Sequence, residues 1–204
     1  MSHVSDGGAM RELRIHGRGG QGAVIASKIL ASAFFHEGRS VQSFPAFGVE
    51  RRGAPVAAFL RVSEGPILLR CEITEPDELV VLDPTLVEAV DVTGGLKPGG
   101  RILINSARPA SSYGDLARRF AVATVDASAI ARRHGLGSKT QPIVNTAILG
   151  AFAATSGLVS IESVCAAIAE EMPARAAQNV AAAREAAAAM GVPSALEPVE
   201  ARRG

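Results

Sequence analysis

The stretch ELRIHGRGGQGAVIASKIL at residues 12–30 restricts the possible folds of this chain more than any other. Leu13 to His16 reads as a short strand. Residues 20–35 read as a helix in which Ala23, Val24, Ile25, Ile29 and Leu30 supply the apolar face. Between them the chain turns on four glycines, Gly17, Gly19, Gly20 and Gly22. Glycine lets a backbone turn tightly and lets another group approach it closely. Gly17, Gly19 and Gly22 fit the spacing G-x-G-x-x-G, after a strand and before a helix, as a phosphate-binding turn requires. The free N–H groups and positive dipole end of such a helix attract an anion. A tight turn with no ligand gives the same pattern.

A dinucleotide site also needs an acidic residue near the end of the second strand, to hold the ribose hydroxyls. Here that strand reads SVQSF and carries no acid, while Glu37 precedes it on the far side of Gly38. NAD is therefore disfavoured. A phosphate-bearing ligand read in another way, or a partner's loop, fits the turn better.

The rest of the chain continues the alternation of strand and helix. VQSF is the second strand, and FPAFGVERRGAP after it is a structured loop rich in Pro and Gly. VAAFLRVS and PILLR, on either side of EGP, predict an antiparallel hairpin. ELVVLD is the best buried strand, and it ends where Asp83 is expected to cap a helix with Pro84 at its first position. Ile102–Ile104 and FAVATVD predict two more strands, and ASAIARRHG a short helix. From Pro142 onward only helices are expected: one over PIVNTAILGAFAATSG, one over SIESVCAAIAEEM capped by Ser160, and an Ala-rich one after Pro173. The expected class is α/β, with a Rossmann-like, largely parallel sheet flanked by helices and a helical C-terminal segment. A single domain over 11–191 is expected, between a flexible N-terminus (1–10) and a flexible tail (192–204).

Composition narrows the function. With 21 Lys+Arg against 20 Asp+Glu in 204 residues, the net charge of +1 gives no electrostatic case for a nucleic-acid or membrane-surface partner. No apolar stretch is long enough to span a membrane and no export signal is visible, so a cytoplasmic protein is expected. Cys71 and Cys165 stand far apart and outside any CxxC, so they are expected to be reduced, mostly buried thiols. A metal or iron–sulfur site built from this chain alone lacks ligands.

Three motifs together carry a resemblance: GRGGQG at 17–22, FPAFGVERRGAPVAAFLRVS at 44–63 and QPIVNTAILGAF at 141–152. The chain resembles the gamma subunit, or gamma domain, of the 2-oxoacid:ferredoxin oxidoreductases, from about Leu13 to about Ala189. That family includes enzymes for pyruvate, 2-oxoglutarate, branched-chain ketoacids, indolepyruvate and phenylglyoxylate. The resemblance implies a complex that decarboxylates a 2-oxoacid on thiamine diphosphate with magnesium. Electrons leave through iron–sulfur clusters to ferredoxin, or to NAD through a flavin subunit, and the acyl group goes to coenzyme A. The partners implied are alpha, beta and ferredoxin-like delta subunits, which would carry those cofactors, because this chain has neither a thiamine-diphosphate motif nor a cluster's cysteines. One departure stands out. The family usually has Gly-Gly-Pro after the loop arginine, whereas this chain has Gly53-Ala54-Pro55, and an Ala54 in the left-handed region would be strained.

The resemblance also implies roles for residues. Gly17, Arg18, Gly19, Gly20, Gln21 and Gly22 would face the phosphates of coenzyme A. Phe44, Pro45, Gly48, Glu50, Arg52, Gly53 and Pro55 would form an interface or active-site loop. Asn145, with Thr146 beside it, is either a site residue or a backbone-bonding residue of a first helical turn. His16 reads as a strand-end core residue and Asp83 as a cap, and no residue reads as catalytic. A stand-alone nucleotide-binding or regulatory module, or a subunit that is scaffold only, remain alternatives.

Overall fold

The computed structural model describes residues 10–46 and 52–191. Strand β1 (Arg11–Arg18) leads through helix α1 (Ala23–His36) to β2 (Ser40–Pro45) and β3 (Pro55–Ser63). Then follow β4 (Glu78–Val81), α2 (Leu86–Ala89), β5 (Arg101–Asn105), α3 (Gly114–Arg119), β6 (Ala121–Val125) and α4 (Ala127–Arg133). Three helices end the described chain: α5 (Asn145–Ser156), α6 (Ile161–Glu171) and α7 (Ala176–Ala189).

The strands form one sheet in the order β2-β3-β1-β4-β5-β6. β1, β4, β5 and β6 run parallel, whereas β3 is antiparallel to both β1 and β2. This corrects the expected hairpin. Both edges of β3 are already taken, so residues 66–70 cannot pair with it, and they run without regular structure, with Leu68 86% exposed. The α/β class and the parallel half of the sheet are as expected.

Two cores cover the two faces. On one, Leu13, Ile15, Leu60, Val80 and Leu103 meet α1 and the helices α4 to α7. On the other, Leu79, Val81, Ile102 and Ile104 pack against Leu86, Val92, Leu96, Tyr113 and Phe120 from short helices and turns. Local chemistry fixes the helix starts. The Asp126 carboxylate accepts from Ala129 N–H (2.7 Å) at the head of α4, and Ser160 Oγ accepts from Ser163 N–H (3.1 Å) at the head of α6.

Three further expectations need correction. The helix after β4 begins only at Leu86, with Thr85 at its N-cap, so Asp83 does not cap it and Pro84 lies before the helix and not at its first position. Cys71 is exposed, because it sits in the irregular segment beyond β3; Cys165 is buried as expected. Ala54 carries no strain: Gly53 takes the left-handed conformation (φ 80°), and no non-glycine residue among those described has a positive φ.

Candidate functional site

A cleft of about 640 Å³ opens at the C-terminal ends of β1, β4 and β5. From β1 the chain moves outward to β2, and from β4 it moves the other way to β5, so the crevice lies at a topological switch point. One wall is the glycine turn, with Arg18, Gly19, Gly20 and Gln21, together with Arg52 and Gly53. The floor comes from Leu82, Asp83 and Asn105, and the far wall from Ser128 and residues 137–138 and 140–144.

The turn is built by hydrogen bonds that cross between loops. Gly19 N–H donates to Ala54 O (2.9 Å), and Gly53 N–H donates back to Gly19 O (3.0 Å), which ties the glycine turn to the start of β3. The Arg18 guanidinium donates to Asp83 Oδ2 (3.0 Å), Gly53 O (3.1 Å) and Thr85 Oγ1 (2.8 Å). Burial pushes the Asp83 carboxyl upward, but its bonds from Thr85 and Gln21 and the nearby Arg18 charge outweigh this and hold it below its ordinary value. Gly22 precedes α1 in the left-handed region (φ 82°), and the Asn145 amide lies against its Cα. Among the described residues Gly20 N–H meets no backbone acceptor. Arg52 is exposed and among the described residues its side chain reaches only Gln141 Oε1, at 3.3 Å.

The expected site residues separate into two groups. Arg18, Gly19, Gly20, Gln21, Arg52 and Gly53 line the cleft, whereas Gly17 and Gly22 sit behind it. Pro55 pairs with Arg18 at the start of β3. Phe44 and Pro45 belong to β2, where Phe44 packs on Phe59 with ring centroids 5.3 Å apart, so Phe44 serves the sheet. Gly48 and Glu50 lie outside the described residues. Asn145 and Thr146 are buried and outside the cleft lining; Asn145 Oδ1 accepts from Thr146 N–H, and Thr146 Oγ1 donates to Asn179 Oδ1 on α7 (2.8 Å). His16 is held neutral. Burial first, and then the charge of Arg14, lower its pKa to about 4.

Sequence reasoning missed Asn105 and Ser128. Asn105 Nδ2 donates to Leu82 O (2.9 Å) and Ser128 Oγ (3.0 Å), bracing the cleft floor. A polar residue at the C-terminal end of a buried parallel strand is the signal that could have found it, since ligands of such sheets bind there.

Among the described residues no cluster of His, Cys, Asp or Glu is fit to hold a metal, and no helix is long and apolar enough to cross a membrane. The cleft offers a backbone amide, an arginine and neutral hydroxyl and amide groups. Such a set can hold an anion and its polar attachments.

Comparison with known proteins follows the same outline. The pyruvate ferredoxin/flavodoxin oxidoreductase family matches residues 12–189. The common gamma subunit of the pyruvate/ketoisovalerate oxidoreductases of Pyrococcus abyssi is 52% identical over 180 residues, covering 87% of this chain and 95% of that one. Pyruvate synthase subunit PorC of Methanocaldococcus jannaschii is 49% identical over 178 residues, covering 87% and 95%. The crystal structure of the pyruvate oxidoreductase subunit PORC from Thermotoga maritima superposes with a TM-score of 0.72 at 31% identity, covering 88% of this chain and 96% of that one. A 2-oxoglutarate:ferredoxin oxidoreductase from Magnetococcus marinus, solved with 2-oxoglutarate, coenzyme A and succinyl-CoA bound, shares the fold over 89% of this chain and 31% of its own, with a TM-score of 0.70 at 17% identity.

Proposed function

Since the chain belongs to the pyruvate ferredoxin/flavodoxin oxidoreductase family, as the gamma subunit of a 2-oxoacid oxidoreductase complex, we propose that its cleft holds the phosphate-bearing part of coenzyme A. Family membership sets aside a stand-alone module: the chain is a non-autonomous part of a multi-subunit oxidoreductase. In this reading the complex oxidatively decarboxylates a 2-oxoacid to an acyl-CoA in the cytoplasm. Thiamine diphosphate, magnesium and iron–sulfur clusters reside on the alpha, beta and ferredoxin-like delta subunits, and electrons pass to ferredoxin or to a flavin/NAD subunit.

The observation that carries the proposal is the glycine turn at a switch-point crevice, with the Gly20 N–H uncommitted and Arg52 exposed beside it. The volume, about 640 Å³, suits part of a large cofactor. The donors are of the kind a pyrophosphate needs, an amide and a guanidinium. Asn105, Ser128 and Gln141 supply neutral partners for the polar groups attached to it. When bound, coenzyme A supplies the thiol that accepts the acyl group; this chain binds and orients it. Arg52, at the side of the cleft, meets a partner subunit or the acyl-transfer site in this reading, and Glu50 shares that role.

The test uses the assembled complex. Gly19→Val puts a side chain on the wall that the phosphates approach, and Arg52→Ala removes the exposed cation. Each is expected to raise the KM for coenzyme A about tenfold or more, the loss of a charged hydrogen bond of roughly 1.5–3 kcal/mol. Decarboxylation with reduction of the first electron carrier, which precedes coenzyme A, stays near its original rate. Unchanged dependence on coenzyme A in folded, assembled variants leaves the turn a scaffold contact and refutes the proposal.

A further inference from the structure

Asp83 does more than its local sequence requires. Locally one carboxylate oxygen is used: Oδ1 accepts from Thr85 N–H (3.0 Å) and Thr85 Oγ1 (2.6 Å), a side-chain turn that leads into the helix without capping it. That helix has only four residues, Leu86–Ala89. Oδ2 faces the opposite way and accepts from Arg18 Nε (3.0 Å) and Gln21 Nε2 (3.1 Å). Gln21 passes the constraint on. Its Oε1 accepts from Arg18 N–H (2.7 Å), while Arg18 O accepts from Gln21 N–H (2.9 Å), so the turn from 18 to 21 is closed twice. Arg18 then reaches Gly53 O and Thr85 Oγ1. Two loops thus meet on one carboxylate, and Arg18 ties in the third at Gly53, just beyond the last bond between β1 and β4, from Leu82 N–H to His16 O (2.8 Å).

We propose that Asp83 is the positioning residue of the glycine turn: it fixes the backbone shape that presents Gly20 to the cleft, and it pairs Arg18 so that this arginine is a strut and not a phosphate clamp. Arg18 and Arg52 are the two cationic side chains lining the cleft among the described residues. With Arg18 committed to a carboxylate, a carbonyl and a hydroxyl, an anion would have to strip these partners to use it. The ligand's charge falls to Arg52 and the backbone. The identity of the ligand rests on the coenzyme A reading above; the positioning itself does not.

Asp83→Asn separates the two roles of this residue. Asn closes a side-chain turn of this kind about as well as Asp, so the local turn alone predicts a silent change. An amide nitrogen in place of Oδ2, however, meets two donors with a third donor. In the assembled complex, hydrogen exchange at the Arg18 and Gln21 amides is expected to quicken about tenfold or more. The KM for coenzyme A is expected to rise by a similar factor, with the KM for the 2-oxoacid unchanged. Asp83→Asn/Gln21→Glu exchanges carboxylate and amide across the contact with residue 21, leaves Arg18 Nε without its acceptor, and is expected to restore both readouts in part. If Asp83→Asn fails to assemble, Gln21→Ala breaks the relay without touching the Asp83–Thr85 turn, and the same readouts decide. Unchanged exchange in the variant overturns the inference whatever the KM does. Faster exchange with an unchanged KM upholds the positioning and counts against coenzyme A as the ligand.

Discussion

Gly22→Ala is expected to be the most damaging single methyl group that can be added to the glycine turn, for two separable reasons. The first is conformational: at φ 82° an alanine pays the left-handed penalty of roughly 1–2 kcal/mol. The second is steric. A Cβ built at Gly22 lies 2.7 Å from Asn145 Nδ2 and 3.3 Å from its Cγ. Asn145 has little room to give, because it is buried and its Oδ1 is bonded to Thr146 N–H (2.9 Å). Overpacking of this kind costs roughly 1–3 kcal/mol. Together these give about 2–5 kcal/mol, which for a chain of this size lowers the Tm by roughly 5–15 °C.

Gly20→Ala is the control. Its φ is 95°, but nothing lies within 4 Å of the added Cβ, so only the conformational penalty applies. Thermal unfolding of the purified subunit followed by circular dichroism reads both variants. The double variant Gly22→Ala/Asn145→Ala removes the obstructing amide and is expected to be less destabilised than the sum of its single changes by about 1–3 kcal/mol. Additive losses, or a Gly22→Ala variant no worse than Gly20→Ala, would refute the claim that α1 and α5 meet through this glycine.

Two more outcomes follow from buried groups. The folded-state pKa of His16, lowered to about 4 by burial and by Arg14, lies below the ordinary value of 6.5, so the unfolded chain takes up a proton that the native one refuses. Stability should therefore be full above pH 6.5, fall as the pH drops towards 4, and level off below it, with a loss of about 2–4 kcal/mol; urea unfolding against pH should show that slope flattened in His16→Gln, and an equal slope in the variant would assign it to other groups. Cys71 is exposed and Cys165 is buried, with its thiol pushed up by burial, so one thiol of the native subunit should react rapidly with a disulfide reagent and the other only on unfolding. Cys71→Ser should remove the fast phase, and two fast thiols would contradict the packing of α6.

Where interactions are local, the sequence was a good guide. β4 and β5 are short apolar runs, β1 alternates polar and apolar residues up to its glycines, and α5, α6 and α7 are marked by Pro, Ser and Gly punctuation, so their places were legible. Non-local pairings were not. Nothing in VAAFLRVS says that β3 must take β1 on one side and β2 on the other, leaving PILLR without a partner. Arg61 shows the same limit. It lies at 1% exposure in the middle of β3, where local pattern predicts an outward-facing charge, and it is held by Glu12 from β1 (2.8 Å) and Gln42 from β2 (3.0 Å). A buried guanidinium persists only when paired and hydrogen-bonded, and both partners lie on other strands. Asp83 reads as a helix cap from its neighbours, but its local bonds stop at Thr85 before the helix, and its second set reaches back 62 and 65 residues.

The sheet order also explains why the glycine fingerprint comes without the acid of a dinucleotide site. In the dinucleotide-binding fold the strand after the first helix lies directly beside the first strand, so an acid at its end reaches the ribose of a ligand seated on the turn. Here the neighbour of β1 on that side is β3, antiparallel, and β2 stands one strand further out. Two strand spacings are about 10 Å, beyond the reach of a carboxylate side chain. An acid at the end of VQSF would thus have no ribose to bind. The space beside the turn is filled instead by the chain entering β3, where Gly53 N–H and Ala54 O bond to Gly19 and Gly53 O receives Arg18. The insertion of β3 turns a generic phosphate loop into a crevice whose cation, Arg52, arrives from the β2–β3 connection. What the turn can hold is therefore set by a strand that its own motif does not contain.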